Sequence, residues 1–224
     1  MTTMRPMFSL FISTLTGLLL WSGVVSTTAN AQPSNTALVD DARAFIETLS
    51  GDAIGVLEDE TLNEEAREKA FRALLAQNFD MKYIARFTLG RNARTASKAD
   101  VKAYHSLFDD YVIQAYASRL TAYAGEEIAV RGAKAVGSKD ILVLTDIKSP
   151  TSGQTFVAEW RVRPRGPIFR VIDIKIEGIS MVITQREEFS AIIKRKGMTG
   201  LIKTLEERTG LEADYSDLTS AQLR

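Results

Sequence analysis

The chain has 224 residues, with 28 basic and 28 acidic side chains, one histidine and no cysteine. A balanced charge argues against nucleic acid as partner, since nucleic-acid binding favours a clustered positive excess. The missing cysteines exclude disulfides, thiol catalysis and cysteine-ligated zinc, so the fold must hold itself together by packing.

Arg5 is the only charge before Asp40, and it precedes an apolar-rich stretch from Phe8 to Val25 that ends in Ala29-Asn30-Ala31. A positive start, a short apolar run and an A-x-A end describe a secretory signal peptide over residues 1–31. Ser9, Ser13, Thr14, Thr16 and Ser22 make the run a poor retained anchor, which needs roughly 20 predominantly apolar residues. Cleavage would leave 193 residues from Gln32, with 27 basic against 28 acidic. That suits one domain over 32–210 and a loose polar tail over 211–224.

The first half of the exported part reads as helical. After Asn35-Thr36, Leu38, Phe45, Ile46 and Leu49 recur at helical spacing. From Asn63 to Phe79, Ala66, Ala70, Phe71, Leu74 and Leu75 mark one face, and Glu64-Glu65 sit where a helix N-terminus favours acids. A short helix over Asp80–Leu89 stops at Gly90. Ser97 and Asp100 form a capping-box-like start to a long helix reaching about Tyr123, with Val101, Tyr104, Phe108, Tyr111, Val112, Ala115, Leu120 and Tyr123 on its stripe.

At Gly125 the period becomes alternating. Ile128 and Val130, the run Ile141 to Leu144, the row Phe156, Ala158, Trp160 and Val162, and the row Ile172, Ile174 and Ile176 mark four strands joined by Gly, Ser and Pro turns. Short connections make an antiparallel meander. Helix returns over Thr184–Lys196, breaks at Gly197 and resumes over Met198–Arg208. The expected architecture is therefore α+β, with N- and C-terminal helices covering one face of a curved four-stranded antiparallel sheet. Such a sheet can close over an apolar pocket.

Catalytic patterns are scarce. No G-x-G-x-x-G, Walker-A or G-x-S-x-G string occurs, and the lone His105 lies beside the apolar stripe of a helix. The pairs Asp109-Asp110, Glu126-Glu127 and Glu187-Glu188 are sequence neighbours whose side chains diverge, which fits solvated faces. No metal or cofactor is expected, and the chain reads as a protein other than an enzyme. Arg86, Arg91 and Arg94 gather near one helix end and Lys194-Arg195-Lys196 at another. The helix dipole alone favours cations there, and the alternative is contact with a partner or an anionic head group. Arg161, Arg163, Arg165 and Arg170 form a further basic row on the strands. The tyrosine-rich stripe Tyr104, Tyr111, Tyr116 and Tyr123 suits core, or the mouth of a cavity with a wet rim.

Three separated motifs then carry a resemblance. The run Phe79-Asp80-Met81-Lys82-Tyr83-Ile84-Ala85-Arg86-Phe87-Thr88-Leu89-Gly90-Arg91 with Arg94, the helix bearing Phe108, Tyr111, Tyr116, Leu120 and Tyr123, and the string Asp173-Ile174-Lys175-Ile176-Glu177-Gly178-Ile179-Ser180-Met181-Val182 followed by Arg186 and Phe189 resemble the MlaC, or toluene-tolerance, family. Order and spacing agree over roughly Ala37 to Arg208. The resemblance implies a cone-like fold related to nuclear transport factor 2. It also implies a periplasmic shuttle for phospholipid, or a hopanoid-like lipid, between inner and outer membranes. The implied partners are an inner-membrane ABC lipid transport complex and an outer-membrane lipoprotein complex. On that footing the expected lipid-binding residues are Phe156, Ala158, Trp160, Val162, Ile172, Ile174 and Ile176 from the sheet, with Phe87, Phe108, Tyr111 and Met181. Arg86, Arg91 and Arg94 are expected to meet partner or head group. The alternatives are a lipid-modifying enzyme of the same fold class, which would need a perturbed acid or base inside the pocket, and a pocketless adaptor.

Overall fold

The computed structural model describes residues 35–120 and 125–214, without the side chains of 116–120. The leader, the Gln32 terminus, the side chains of Tyr116, Leu120 and Tyr123, and the tail beyond 214 lie outside the described residues. Among the described residues no helix is long and apolar enough to cross a membrane.

The described residues form five helices and five strands in order: α1 (Asn35–Glu58), α2 (Glu64–Asn78), α3 (Met81–Leu89) with a 3₁₀ turn (Gly90–Arg94), α4 (Lys98–Leu120), β1 (Glu127–Val136), β2 (Asp140–Lys148), β3 (Thr155–Arg165), β4 (Ile168–Ile176), β5 (Ile179–Ser180) and α5 (Met181–Thr209). The boundaries have local causes. Asn63 accepts from the Ala66 amide at 2.8 Å and Asp80 from the Tyr83 amide at 3.0 Å, each capping a helix start. Ser97 accepts from the Asp100 amide at 3.0 Å and donates to its carboxylate at 2.9 Å, so the expected pair caps the start of α4. Gly197, at φ 72° and ψ −178°, interrupts α5 where the sequence placed its break.

The sheet is an antiparallel meander of order β1-β2-β3-β4-β5. It has five strands where the alternation predicts four. The fifth is only two residues long, too short for any periodicity, and pairs Ile179 with Ile176 and Ser180 with Lys175. The turn before it places Glu177 at φ 50° and Gly178 at φ 80°, two left-handed residues in succession, as a tight hairpin requires. The Glu177 amide donates to the Val157 carbonyl at 3.0 Å, tying the turn to β3.

The register between β3 and β4 slips once. Trp160 pairs with Ile174 and Arg161 with Asp173, but Val162 pairs with Val171, leaving Ile172 as the extra residue of a bulge. Uninterrupted alternation would have given Ile172 that place.

Two apolar clusters hold the fold. Ala42, Ile46 and Leu49 of α1 pack on Ile141, Val143, Val162 and Val171 of the sheet. Ile84, Ala85 and Leu89 of α3, Tyr104, Leu107, Phe108 and Tyr111 of α4, and Phe189, Leu201, Ile202 and Leu205 of α5 form the second. Past Gly210 the chain stays docked: the Ala213 side chain packs on the second cluster, and the Asp214 amide donates to Ser106 Oγ at 3.0 Å. The corner between α2 and α3 is fastened to the sheet at Phe79, which bridges to Val171, and at Asp80, whose amide donates to the Val171 carbonyl at 2.9 Å and whose carboxylate accepts from Arg165.

Candidate binding cavity

The two clusters do not meet everywhere. Between them lies a cavity of about 340 Å³. Leu49, Ser50 and Ala53 of α1 border it, then Phe71, Leu74 and Leu75 of α2, Phe79 and Met81 at the corner, and Ile84 and Thr88 of α3. Phe108 and Val112 of α4, Ile128 of β1, Trp160 of β3, Asp173, Ile174 and Ile176 of β4, and Met181, Val182 and Gln185 of α5 complete the wall. Almost all of it is hydrocarbon, and the volume lies at the lower end of the roughly 300–1,000 Å³ usual for ligand sites.

The string Asp173 to Val182 builds one corner of this wall. Asp173 is buried, accepting from Ser180 Oγ at 2.7 Å and from the Val182 amide at 3.3 Å, while Ser180 Oγ accepts from the Ile183 amide at 3.2 Å. Two of the free amides at the start of α5, those of Val182 and Ile183, are thereby satisfied, and Met181 and Val182 border the cavity. Trp160 is held by its indole N–H, which donates to the buried Thr145 Oγ1 at 3.0 Å. Its ring therefore cannot swing freely out of the wall.

Of the residues expected to meet a lipid, Phe108, Trp160, Ile174, Ile176 and Met181 come together at this cavity, and the others stand elsewhere for identifiable reasons. Val162 is fully buried beneath α1, in the filled part of the same sheet face. Ile172 is buried at the bulge, and Ala158 is completely covered. Phe156 is the second residue of β3 and is exposed. On α3 the stripe Met81, Ile84 and Thr88 faces the cavity, so Phe87 points away from it, stacking on Tyr83 with the Arg186 guanidinium over its ring at 5.1 Å. Tyr111 belongs to the helical cluster; its hydroxyl bonds Gln185 at 3.2 Å and accepts from Arg208 at 2.9 Å. Tyr104 is fully buried with its hydroxyl on Thr88 Oγ1 and the Ala85 carbonyl. These two tyrosines are core with satisfied hydroxyls, not a wet rim.

The contributions of α1 and α2 were legible only as apolar helical stripes, since nothing local says that a stripe borders a void. Of the polar members, Ser50 and Gln185 carried no signal, and Thr88 and Asp173 stood out only as parts of the motifs that carry the resemblance.

Charged groups lie outside the cavity wall, Asp173 excepted. Arg86, Arg91 and Arg94 are exposed, and none is joined to an acid by an ion pair among the described residues. The strand row is used differently from a free basic face: Arg161 and Arg163 both bind the buried Asp140, at 2.8 and 2.6 Å, and Arg165 binds Asp80. Burial pushes the Asp140 carboxyl up, but the hydrogen bonds from Arg163 and Arg161 outweigh it and hold the group below the usual carboxylate range. Burial lowers the pKa of His105, and the charges of Lys82 and Arg86 push the same way. Burial raises that of Asp109. Neither His105 nor Asp109 borders the cavity.

Comparison with known proteins matches residues 47–207 to the family described as MlaC protein. The solved structure of a phospholipid-binding protein from Ralstonia solanacearum, in complex with a phospholipid, superposes with a TM-score of 0.64 at 22% identity. The match covers 75% of this chain and 97% of that one, and at this identity it is a likeness of fold.

Proposed function

Because the chain belongs to the MlaC family, we propose that it is a lipid carrier, the soluble periplasmic component of an ABC-type system moving phospholipid between the inner and outer membranes. The observation that carries this reading is the hydrocarbon-lined cavity between the two clusters. The leader read from residues 1–31 supports export. The Ralstonia protein solved with phospholipid shares the fold, which makes a diacyl lipid the first ligand to test. The same reading takes the sheet as the cone of a nuclear transport factor 2-like fold.

The physical need is plain. Exposing acyl chains to water costs about 0.8 kcal/mol per methylene, so two chains of about 16 carbons face a barrier on the order of 25 kcal/mol. A carrier has to match the bilayer's apolar environment without greatly exceeding it, or the lipid would never leave. An apolar cavity of about 340 Å³, bordered by side chains from eight elements and the corner residue Phe79, suits loose rather than tight packing. A carrier rather than an enzyme is favoured because the perturbed titratable groups His105 and Asp109 lie off the cavity wall.

Docking to an inner-membrane complex and an outer-membrane lipoprotein complex is assigned to the basic face around α3. From Met81 to Ala99 the chain has no acid while carrying Lys82, Arg86, Arg91, Arg94 and Lys98, a surface suited to acidic partners.

The test is native mass spectrometry of protein purified without detergent. Bound phospholipid or a comparable lipid is expected. A lipid-free protein that also takes no lipid from vesicles would defeat the proposal.

A further inference from the structure

Four polar side chains border the cavity, and three of them are already satisfied within the protein. Thr88 Oγ1 bonds the Ile84 and Ala85 carbonyls and Tyr104. Asp173 holds Ser180 and the Val182 amide, and Gln185 bonds Tyr111 and Glu188. Ser50 is the exception. It is 5% exposed, and its Oγ has no hydrogen-bond partner among the described residues.

A serine inside a helix ordinarily turns its hydroxyl back to the carbonyl of the preceding turn. Other hydroxyls of this protein do so: Thr88, Thr184, Thr204 and Thr209 each bond the carbonyl four residues earlier, at 2.8–2.9 Å. Ser50 of α1 does not, although the Ile46 carbonyl stands at the same offset. Its neighbours on the stripe explain its place. Ala42, Ile46 and Leu49 fill the space above the sheet, and the cavity begins where Leu49, Ser50 and Ala53 border it. A buried hydroxyl without a partner is left desolvated and uncompensated, which calls for an explanation. An alanine would serve a purely hydrocarbon wall better, being a better helix former with nothing to satisfy.

We propose that Ser50 reads the ligand: its Oγ–H donates to an oxygen carried by the part of the bound amphiphile that lies inside the cavity. That oxygen is an ester carbonyl or a hydroxyl on an acyl chain, the same acceptor chemistry from two positions along one lipid. This rests on the carrier reading and adds to it a residue that distinguishes among lipids of equal apolar bulk.

The experiment compares native protein with Ser50→Ala. Delipidated samples of each are equilibrated with vesicles containing equal parts dipalmitoyl phosphatidylcholine, its dihexadecyl diether analogue without carbonyls, and that diether bearing a hydroxyl on each chain. Bound lipids are then counted by native mass spectrometry. The native protein is expected to prefer one oxygen-bearing lipid over the bare diether by about three- to tenfold, the worth of one hydrogen bond. Ser50→Ala is expected to lose that preference while binding the bare diether as before. Preference for the ester lipid assigns the carbonyl, and preference for the hydroxylated diether assigns the chain hydroxyl. Without ligand, Ser50→Ala is expected to melt no lower than the native protein, because the hydroxyl has no protein partner to lose. Identical selectivity in the two proteins would overturn the proposal and leave solvent as the partner of Ser50. A lower melting temperature of the empty variant would overturn it too. Failure of the native protein to bind any of the three would instead bring down the carrier reading itself.

Discussion

Ile174→Asp and Val162→Asp put the same charge on the same face of the sheet in different surroundings. Val162 is fully buried and packed beneath α1. A carboxylate there has neither space nor partner, and a penalty of several kcal/mol takes much of a stability that for such domains is about 5–15 kcal/mol. Ile174 is half-buried and faces the cavity, so an aspartate there can remain hydrated. The fold then loses chiefly the apolar burial of the isoleucine, about half of the 1.5–3 kcal/mol of a fully buried side chain. At about 2–4 °C per kcal/mol, Ile174→Asp should lower the melting temperature by about 2–6 °C, while Val162→Asp should abolish the cooperative transition at ordinary temperature. Ligand responds in the opposite order. A charge at Ile174 keeps three or four methylenes from their wall at about 0.8 kcal/mol each, about 3 kcal/mol and on the order of a hundredfold in affinity. Thermal melts followed by circular dichroism report the fold, and native mass spectrometry reports bound lipid. Equal unfolding of both variants would refute the reasoning, since Ile174 would then belong to solid core. A folded Ile174→Asp that keeps its lipid would refute the placement of the chain against β4.

Asp140→Asn should destabilise the protein by about 2 kcal/mol at pH 7, because two arginines, one of them half-exposed, lose a charged acceptor. The native carboxyl titrates below its unfolded value, so the stabilisation is full above an unfolded pKa of about 4 and fades as pH falls through the depressed value. Urea titrations at pH 7 and pH 3 should therefore show a gap that shrinks in acid; a constant gap would contradict the ion-pair account. Gly90 sits at φ 57°, and a Cβ there would lie 2.8 Å from Arg186 Nε, the guanidinium that rests on Phe87. Gly90→Ala should cost about 2 kcal/mol, on the order of 5 °C in melting temperature, and more than Gly137→Ala, where φ is also positive but the space is open.

The elements legible in advance were those whose cause is local. The helix starts at Asn63, Asp80 and Ser97, the glycine at 197 and the alternation of β3 each have causes within a few residues, and each structure forms where its chemistry stands. β5 escaped because its two residues are defined by a partner strand and not by their own pattern. The bulge at Ile172 escaped because alternation says which residues share a face only while the register is unbroken. On α3, Ile84, Phe87 and Thr88 are all plausible linings until two neighbouring clusters decide which side is void. Ser50 was invisible for a sharper reason: a serine among apolar residues is unremarkable until every possible partner has been located and found engaged or absent.

α2 is a helix fastened at three points. Its start is capped by Asn63, Arg72 reaches Asp110 of α4, and the following Phe79 is bridged to Val171. Between these points only Leu75 is buried, and the apolar stripe of Phe71, Leu74 and Leu75 borders the cavity. Side chains facing a void forgo the dispersion contacts that a filled core supplies, so α2 belongs among the segments with the lowest free energy of local opening. A bound chain would provide those contacts, and by mass action would stabilise this helix more than the rest of the molecule. The cargo then completes the packing of the protein that carries it, and unloading and loosening of α2 become one equilibrium viewed from two sides.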